Sequence, residues 1–142
     1  MFEGTYQNSI DAKNRMIVPL KFREELGDNC VLTKGIDKCL YIYATPAWED
    51  FAGKLSALPT FDAKNRQLIR HFFSNACTCE FDNQGRIIIP QLLREYAAIE
   101  KDLLTMGFGN KIEIWSKTEM DNTKETDFGE LAQDMAERGV NL

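Results

Sequence analysis

Long apolar runs are missing from this sequence of 142 residues. No stretch approaches the roughly 18 consecutive apolar residues that a transmembrane helix needs, and the N-terminus has no basic segment followed by an apolar core. We therefore expect a cytoplasmic protein without membrane contact. The hydrophobic content of 44% is enough for a sizeable core, in one domain or in two small, closely joined ones.

Cysteine is scarce, and no two cysteines form a C-x-x-C motif. The four cysteines are Cys30, Cys39, Cys77 and Cys79, fewer than a small secreted disulfide-rich protein normally carries, so we expect them to be reduced. Cys77 and Cys79 lie two apart in a predicted strand, so their side chains share one face. This spacing would suit half of a zinc site, but packing within the strand is favoured and no metal is expected.

Residues that could perform catalysis are also few. His71 is the only histidine, and it lies in a predicted helix, where a half-buried structural histidine is favoured over a general base. Metalloprotease, calcium-binding and phosphate-loop motifs are absent from the sequence. We therefore expect neither an enzyme nor a cofactor-binding protein, and a small hydrolase or metal enzyme is the least favoured alternative.

Basic residues do not predominate, since the net charge is −5, whereas nucleic-acid-binding proteins usually carry a basic face. Much of the acidity lies at the C-terminal end. Residues 117–142 contain three basic and seven acidic residues, a net charge of −4, which leaves the preceding part nearly neutral. A neutral body can still present a basic face if its charges are sorted, and symmetric assembly would multiply that face.

What the sequence does contain is an internal repeat. A shift of 71 residues aligns Ile10–Leu26 with Phe81–Ala97, and six of the seventeen positions are identical. The identical pairs are Asp11 and Asp82, Arg15 and Arg86, Pro19 and Pro90, Arg23 and Arg94, and Glu24 and Glu95, with Ile17 and Ile88 identical in the apolar run. The similarity resumes between Gly35–Tyr43 and Gly107–Trp115. Such matched order indicates duplication of one supersecondary unit.

Each repeat predicts a hairpin, a short helix and a second hairpin. The first hairpin turns at a four-residue segment that ends in Asn14 or Gly85, residues that can adopt a positive φ. The apolar runs Met16–Val18 and Ile87–Ile89 predict return strands that are buried on both faces. A proline then begins a helix in each copy. The other predicted strands are Thr5–Ile10, Cys30–Leu32, Leu40–Tyr43, Cys77–Phe81, Leu103–Met106 and Lys111–Trp115.

Helical periodicity is predicted between and after the repeats. Pro46–Phe73 is predicted to be helical, including Phe61–Arg66, which copies the letters of the first turn but lacks the β-branched run and the proline that follow it. After Lys117 the apolar positions predict one helix of modest stability. The predicted divisions are a first repeat at 1–47, a helical connector at 48–75, a second repeat at 76–118 and an acidic C-terminal helix or tail at 119–142.

Two arginines at matching positions are candidate DNA contacts. Arg15 and Arg86 each follow the predicted turn directly. A guanidinium at a hairpin tip can bind a phosphate or the O6 and N7 atoms of guanine, and a two-stranded ribbon fits the major groove. The alternative is that Arg15 pairs with Asp11 and serves only to hold the turn. DNA contact is the favoured interpretation.

Further basic residues lie close to these tips. For Arg23 and Arg94, each in a helix beside a glutamate, a structural ion pair and a phosphate contact are equally open. Lys13 and Lys21 add positive charge in the first repeat, where the second has glutamine and leucine. The first repeat is therefore predicted to be the stronger DNA contact.

The duplicated motif resembles the MraZ family. It consists of Asp-x-Lys/Gln-x-Arg, three apolar residues, a proline and a helix with Arg-Glu. The resemblance covers nearly the whole chain, from Met1–Gly4 through Arg70–Phe73 to Ile112–Trp115. A single copy would be shared with the wider AbrB and MazE-like group, whereas two copies in this order are more specific. Asn14 stands where the family usually has glycine, and asparagine tolerates a positive φ.

The resemblance implies an α+β fold that is mainly β, namely a double AbrB-like swapped hairpin (a split β-barrel) with flanking helices and a C-terminal helix. It also implies a nucleoid-associated transcriptional regulator that forms ring-like homo-oligomers. These would bind repeated boxes of double-stranded DNA in the promoter of the cell-division and cell-wall gene cluster. The contacts implied by correspondence are Lys13, Arg15, Arg23, Arg86 and Arg94. The alternative function is an oligomeric protein-interaction scaffold related to antitoxins, whose tail holds a partner.

Overall fold

The computed structural model describes residues 1–142 as eight strands and six helices. The strands are β1 Thr5–Ser9, β2 Arg15–Ile17, β3 Asn29–Lys34, β4 Leu40–Ala44, β5 Cys77–Glu80, β6 Arg86–Ile88, β7 Asp102–Gly107 and β8 Ile112–Ser116. The helices are α1 Leu20–Leu26, α2 Thr45–Ser56, α3 Ala63–Phe73, α4 Gln91–Tyr96, α5 Lys117–Asp121 and α6 Phe128–Glu137. None of these helices combines the length and the apolar character needed to cross a membrane. The predicted α+β class is confirmed.

Strand exchange between the two repeats organises the sheet. Six strands form an antiparallel sheet in the order β1-β7-β8-β4-β3-β5, and β2 pairs separately with β6. The first strand of each repeat therefore pairs with the other repeat, β1 with β7 and β5 with β3. This exchange is the predicted double swapped-hairpin arrangement.

The local pairing predicted within each first hairpin is wrong. β1 does not pair with β2, nor β5 with β6, because the strands diverge after the turn. Each return strand has only three residues, and its best partner is the equivalent strand of the other repeat. In that pairing Met16 lies opposite Ile87, and both side chains are buried.

The tight turns themselves are confirmed, and they interlock. Asn14 and Gly85 have φ values of 62° and 73°, the left-handed conformation that asparagine and glycine tolerate best. The carbonyl of Gly85 accepts a 3.0 Å hydrogen bond from the N–H of Val18, and the carbonyl of Asn14 accepts a 2.9 Å bond from the N–H of Ile89. Each turn is therefore held by the strand end of the other repeat.

The main sheet separates two hydrophobic clusters, because alternate residues of a strand point to opposite faces. On one face, Leu40 and Ile42 of β4 join the cluster that includes the inner side chains of β2 and β6. On the other face, Tyr41 and Tyr43 join a cluster covered by α2 and α3. Phe72 of α3 belongs to this second cluster. The paired strands β2 and β6 and the helices α2 and α3 thus lie on opposite sides of the sheet.

The return strands are buried on one face only, which corrects the prediction of burial on both. Met16 and Ile87 are buried, whereas Ile17 is 51% exposed and Ile88 is 61% exposed. The reason is that β2 and β6 form the outermost layer on their side of the sheet. A run of three apolar residues hides this alternation, since the exposed position is as apolar as its neighbours.

The C-terminal helix α6 forms as predicted but has no buried residue. Phe128 is 75% exposed and Leu131 is 46% exposed. Asp127 begins the helix, and its side chain accepts hydrogen bonds from the N–H groups of Gly129 and Glu130, as an N-cap residue does. The N-terminus of α6 is therefore capped within the helix itself, whereas its apolar face packs against no other element.

Candidate nucleic-acid interface

The first turn is built around the carboxylate of Asp11. Its Oδ1 accepts hydrogen bonds of 2.9 Å from the N–H groups of Lys13 and Arg15, and its Oδ2 accepts a 2.8 Å bond from Nε of Arg15. The ion pair of Arg15 with Asp11 is therefore present, as one part of that alternative predicts. The pair uses only Nε, so the two terminal nitrogens of the Arg15 guanidinium form no hydrogen bond within the chain.

The second turn repeats this geometry. Oδ1 of Asp82 accepts bonds of 2.9 Å from the N–H groups of Gln84 and Arg86, and Oδ2 accepts a 2.7 Å bond from Nε of Arg86. The pKa values of Asp11 and Asp82 lie below the ordinary value of 3.8. The largest cause is the hydrogen bond from the backbone N–H of Arg15 or Arg86, and the guanidinium of the same arginine lowers the pKa further. Both carboxylates therefore remain ionised and hold their arginines at neutral pH.

Pairing of β2 with β6 brings the two arginines together. Arg15 lies opposite Ile88, and Ile17 lies opposite Arg86. Nη1 of Arg86 is 3.8 Å from Oδ2 of Asp11, so the two turns are also linked by charge. Two guanidiniums thus lie on one face of the ribbon, on side chains that are 25% and 21% exposed. We call this face the ribbon face and define it as Arg15, Ile17, Arg86 and Ile88.

Arg23 and Arg94 have a different role in the fold. Nε of Arg23 donates a 2.9 Å hydrogen bond to the carbonyl of Val18, and Nη1 of Arg94 donates to the carbonyl of Ile89. Neither arginine forms an ion pair with the neighbouring glutamate. Both guanidiniums therefore hold the ends of β2 and β6, where the strands lead into α1 and α4.

The two predicted lysines lie at the edge of this region. Lys13, in the first turn, and Lys21, in α1, are both exposed. Neither side chain forms an ion pair within the chain, and they have no basic counterparts in the second repeat. They add positive charge beside the tip of the first repeat only.

Sequence reasoning missed the apolar members of the ribbon face. The prediction that Ile17 and Ile88 belong to the core is wrong, because both are more than half exposed. Each lies opposite one of the two arginines and two residues from the other. Leu20 and Leu92 are also exposed close to the strand ends. The signal that would have found the isoleucines is the spacing of two residues from each tip arginine, because residues i and i+2 of a strand share a face.

The other candidates from the sequence lie away from this face. His71 is half-buried in α3, with Nε2 2.8 Å from the carbonyl oxygen of Gly35, as expected for a structural histidine. Cys77 and Cys79 point towards the cluster that also holds Cys30, with their Sγ atoms 3.9 Å apart. The neighbouring Cys30 thiol, together with burial, raises the pKa of Cys79 to about 12, which leaves it protonated and unreactive.

Comparison with known proteins gives a consistent result. The family model described as "MraZ protein, putative antitoxin-like" matches residues 1–71 and again residues 72–139. A transcriptional regulator MraZ of Clostridium botulinum (strain Alaska E43 / Type E3) is 46% identical over 142 residues, which covers 99% of this chain and all of that protein. Those of Clostridium acetobutylicum and Thermoanaerobacter pseudethanolicus are each 45% identical, with the same coverage.

Proposed function

The chain belongs to the MraZ family, and from that premise we propose that it is a DNA-binding transcriptional regulator whose ribbon face enters the major groove. The proposed role includes no catalytic step and no cofactor. It places the protein in the cytoplasm, associated with the nucleoid.

The observation that carries the proposal is the presentation of Arg15 and Arg86. Each guanidinium is held through Nε by the aspartate of its own turn, which leaves its terminal nitrogens without a hydrogen bond within the chain. Nη1 of Arg86 has only the 3.8 Å ion-pair contact with Asp11. Preorganised guanidiniums of this kind suit phosphate oxygens or the O6 and N7 atoms of guanine, which they bind with two parallel hydrogen bonds. The structural ion pair and DNA contact are therefore compatible, because they use different nitrogens.

Shape and charge support the same face. Two-stranded antiparallel ribbons are among the elements that proteins insert into the major groove. The exposed Lys13 and Lys21 add positive charge beside the first tip, which favours phosphate contacts. Arg23 and Arg94 are proposed to contact DNA only at the edge of this interface, since they hold the strand ends and are half-buried.

We propose further that the protein binds DNA as a ring-like homo-oligomer and recognises repeated boxes in the promoter of the cell-division and cell-wall gene cluster. A single ribbon face offers only two guanidiniums, so one subunit alone has modest affinity. Several subunits on spaced boxes would raise the affinity through effective concentration.

A fluorescence-anisotropy titration tests the proposal. The wild-type protein and the Arg15→Ala, Arg86→Ala double variant are titrated with the duplex upstream of the protein's own gene and with a scrambled duplex, at two salt concentrations. We expect promoter-selective binding that the double variant loses, with circular dichroism and molar mass unchanged. If the wild-type protein fails to bind either duplex, the assignment of both arginines to DNA is wrong.

The matched control is the Arg70→Ala, Arg138→Ala double variant. It removes the same charge from two exposed arginines outside the ribbon face, one in α3 and one at the end of α6. Because Arg70 lies on the other side of the sheet, this variant should bind the promoter within about twofold of the wild type. An equal loss of affinity in both double variants would show a dependence on net charge alone.

The uncovered helix α6 favours a second candidate function, an antitoxin-related scaffold that holds a protein partner. Phe128, Leu131 and Met135 lie three or four positions apart and so share one face, and α6 has no buried residue. Amphipathic helices of this kind bind in apolar grooves of partner proteins. The test is deletion of residues 122–142, after which loss of a co-purified partner with intact DNA binding would assign the scaffold role to the tail.

A further inference from the structure

We infer that Ile17 and Ile88 recognise thymine methyl groups in the major groove, next to the groups that Arg15 and Arg86 contact. The inference rests on the proposed DNA binding and assigns the base that the ribbon face prefers. It concerns two residues whose exposure no core function explains.

The register of β2 and β6 places the four side chains in one layer. Arg15 and Ile17 are two apart on β2, and Arg86 and Ile88 are two apart on β6, so each pair shares a face of its strand. Arg15 lies directly opposite Ile88, and Ile17 lies directly opposite Arg86. Each guanidinium therefore has one isoleucine beside it on its own strand and one across the ribbon.

Burial shows that the two isoleucines of this layer face outward. Met16 and Ile87, which alternate with the four residues, are almost completely buried beneath the ribbon. Ile17 and Ile88 are each more than half exposed, although most isoleucines in folded proteins lie inside. The second repeat reproduces the exposed isoleucine of the first, so both halves of the ribbon present the same combination of an arginine and an apolar side chain.

The chemistry of the major groove matches this combination. Guanine presents the acceptors N7 and O6, which suit a guanidinium, and thymine presents a C5-methyl group, which suits an apolar side chain. An isoleucine held on a strand has few rotamers and so loses little entropy on contact. A ribbon whose arginines reach guanine or phosphate would bring the adjacent isoleucines to the floor of the groove.

A second copy of the chain fits this face less well. Face-to-face packing of two ribbons would bury four guanidiniums together with the turn carboxylates that pair with them. Burial of ion pairs carries a desolvation cost that their mutual attraction often does not repay. DNA supplies negative charge and methyl groups on the same surface, so it satisfies both kinds of side chain.

The test replaces thymine with deoxyuridine, which removes the C5-methyl group and retains base pairing. The wild-type protein and an Ile17→Ala, Ile88→Ala double variant are titrated against the upstream duplex of its own gene in both forms. We expect the wild type to lose about three- to fivefold in affinity per contacted methyl group. The double variant should bind the thymine duplex more weakly and show no further loss with deoxyuridine, a thermodynamic cycle that isolates the contact.

The control variant Ile36→Ala, Leu68→Ala removes two exposed apolar side chains outside the ribbon face and should keep the full sensitivity to deoxyuridine. Equal affinity of the wild type for the two duplexes would overturn this inference alone and leave DNA binding intact. A lower molar mass of the isoleucine double variant in light scattering would also overturn it, by assigning the residues to an interface between copies. Failure to bind either duplex would instead overturn the proposed function and this inference with it.

Discussion

The guanidinium of Arg23 lies directly against Gly85, so a side chain of the first repeat covers the turn of the second. A Cβ atom on residue 85 would lie 2.5 Å from Nε of Arg23, while that same Nε donates to the carbonyl of Val18. Val18 in turn donates its N–H to the carbonyl of Gly85. Arg23, Val18 and Gly85 thus contact one another in a ring that links the two repeats.

Substitution of Gly85 by alanine should destabilise the protein. The residue has a φ of 73°, a conformation that costs a residue with a Cβ atom about 1–2 kcal/mol, and the new methyl group would displace the Arg23 guanidinium. We expect a lower urea midpoint with an unchanged slope.

Gly53→Ala is the control for that substitution. Gly53 lies inside α2, and a Cβ atom there would have no neighbour within 4 Å. Alanine is favoured over glycine in a helix by about 0.5–1 kcal/mol, so this variant should be more stable than the wild type. A loss of stability in Gly53→Ala similar to that of Gly85→Ala would contradict the explanation for both.

Arg23→Ala should also destabilise the fold, because it removes a charged donor from the carbonyl of Val18. Loss of such a hydrogen bond costs about 1–2 kcal/mol. Arg70→Ala, which removes an exposed arginine whose side chain forms no hydrogen bond or ion pair within the chain, should change the free energy of unfolding by less than about 0.5 kcal/mol. Chemical denaturation of both variants checks the difference, and equal stabilities would rule out a structural role for Arg23.

Acid should remove part of the stability through Asp11 and Asp82. Their pKa values are held below the ordinary 3.8, mainly by backbone N–H donors, so their contribution is present above that pH and is lost as the pH falls through the lowered pKa values. The Asp11→Asn, Asp82→Asn double variant should be less stable at pH 7 and should show a flatter decline below about pH 4. Melting temperatures measured from pH 7 to about pH 2.5 test this.

Asp28→Asn is the comparison for the acid experiment, since it removes the charge of an exposed aspartate outside both turns. Its melting temperature should follow that of the wild type across the whole range. If the double variant also followed the wild type, the two turn carboxylates would not contribute to acid unfolding.

Neither repeat should fold alone as a monomer. β1 depends on β7, and β5 depends on β3, so each isolated half would have an unpaired first strand and an uncovered core. Fragments 1–75 and 76–142 should each give a poorly dispersed proton–nitrogen NMR spectrum, and mixing them should restore native dispersion. A dispersed spectrum from one monomeric fragment would contradict the strand exchange.

DNA binding should weaken steeply with salt. The logarithm of the binding constant should fall with the logarithm of the salt concentration by about 0.9 for each phosphate neutralised. Arg15→Ala should reduce the magnitude of that slope by about one for every subunit whose first-repeat turn contacts a phosphate. Arg70→Ala should leave the slope unchanged. A slope that Arg15→Ala does not alter would place that arginine on a base edge or off the DNA.

Local features of the site were predictable from the sequence because they depend on neighbouring residues. An aspartate that caps its own turn, a residue that accepts a positive φ and a proline before a helix determined the turns around Arg15 and Arg86 and the starts of α1 and α4. The ion pair of Arg15 with Asp11 was open as an alternative for the same reason. Helices α2, α3 and α6 followed from their apolar periodicity.

The pairing of β2 with β6 and the exposure of their side chains depend on residues that are far apart in the sequence. Sequence patterns alone therefore could not predict them. The sequence by itself determined that one unit occurs twice, with an arginine after each turn. Only the tertiary structure decided that β2 pairs with β6 and that Ile17 and Ile88 face outward beside those arginines. The physical reason is that a three-residue apolar strand carries no information about its partner, and its two faces become different only when one of them packs on the sheet.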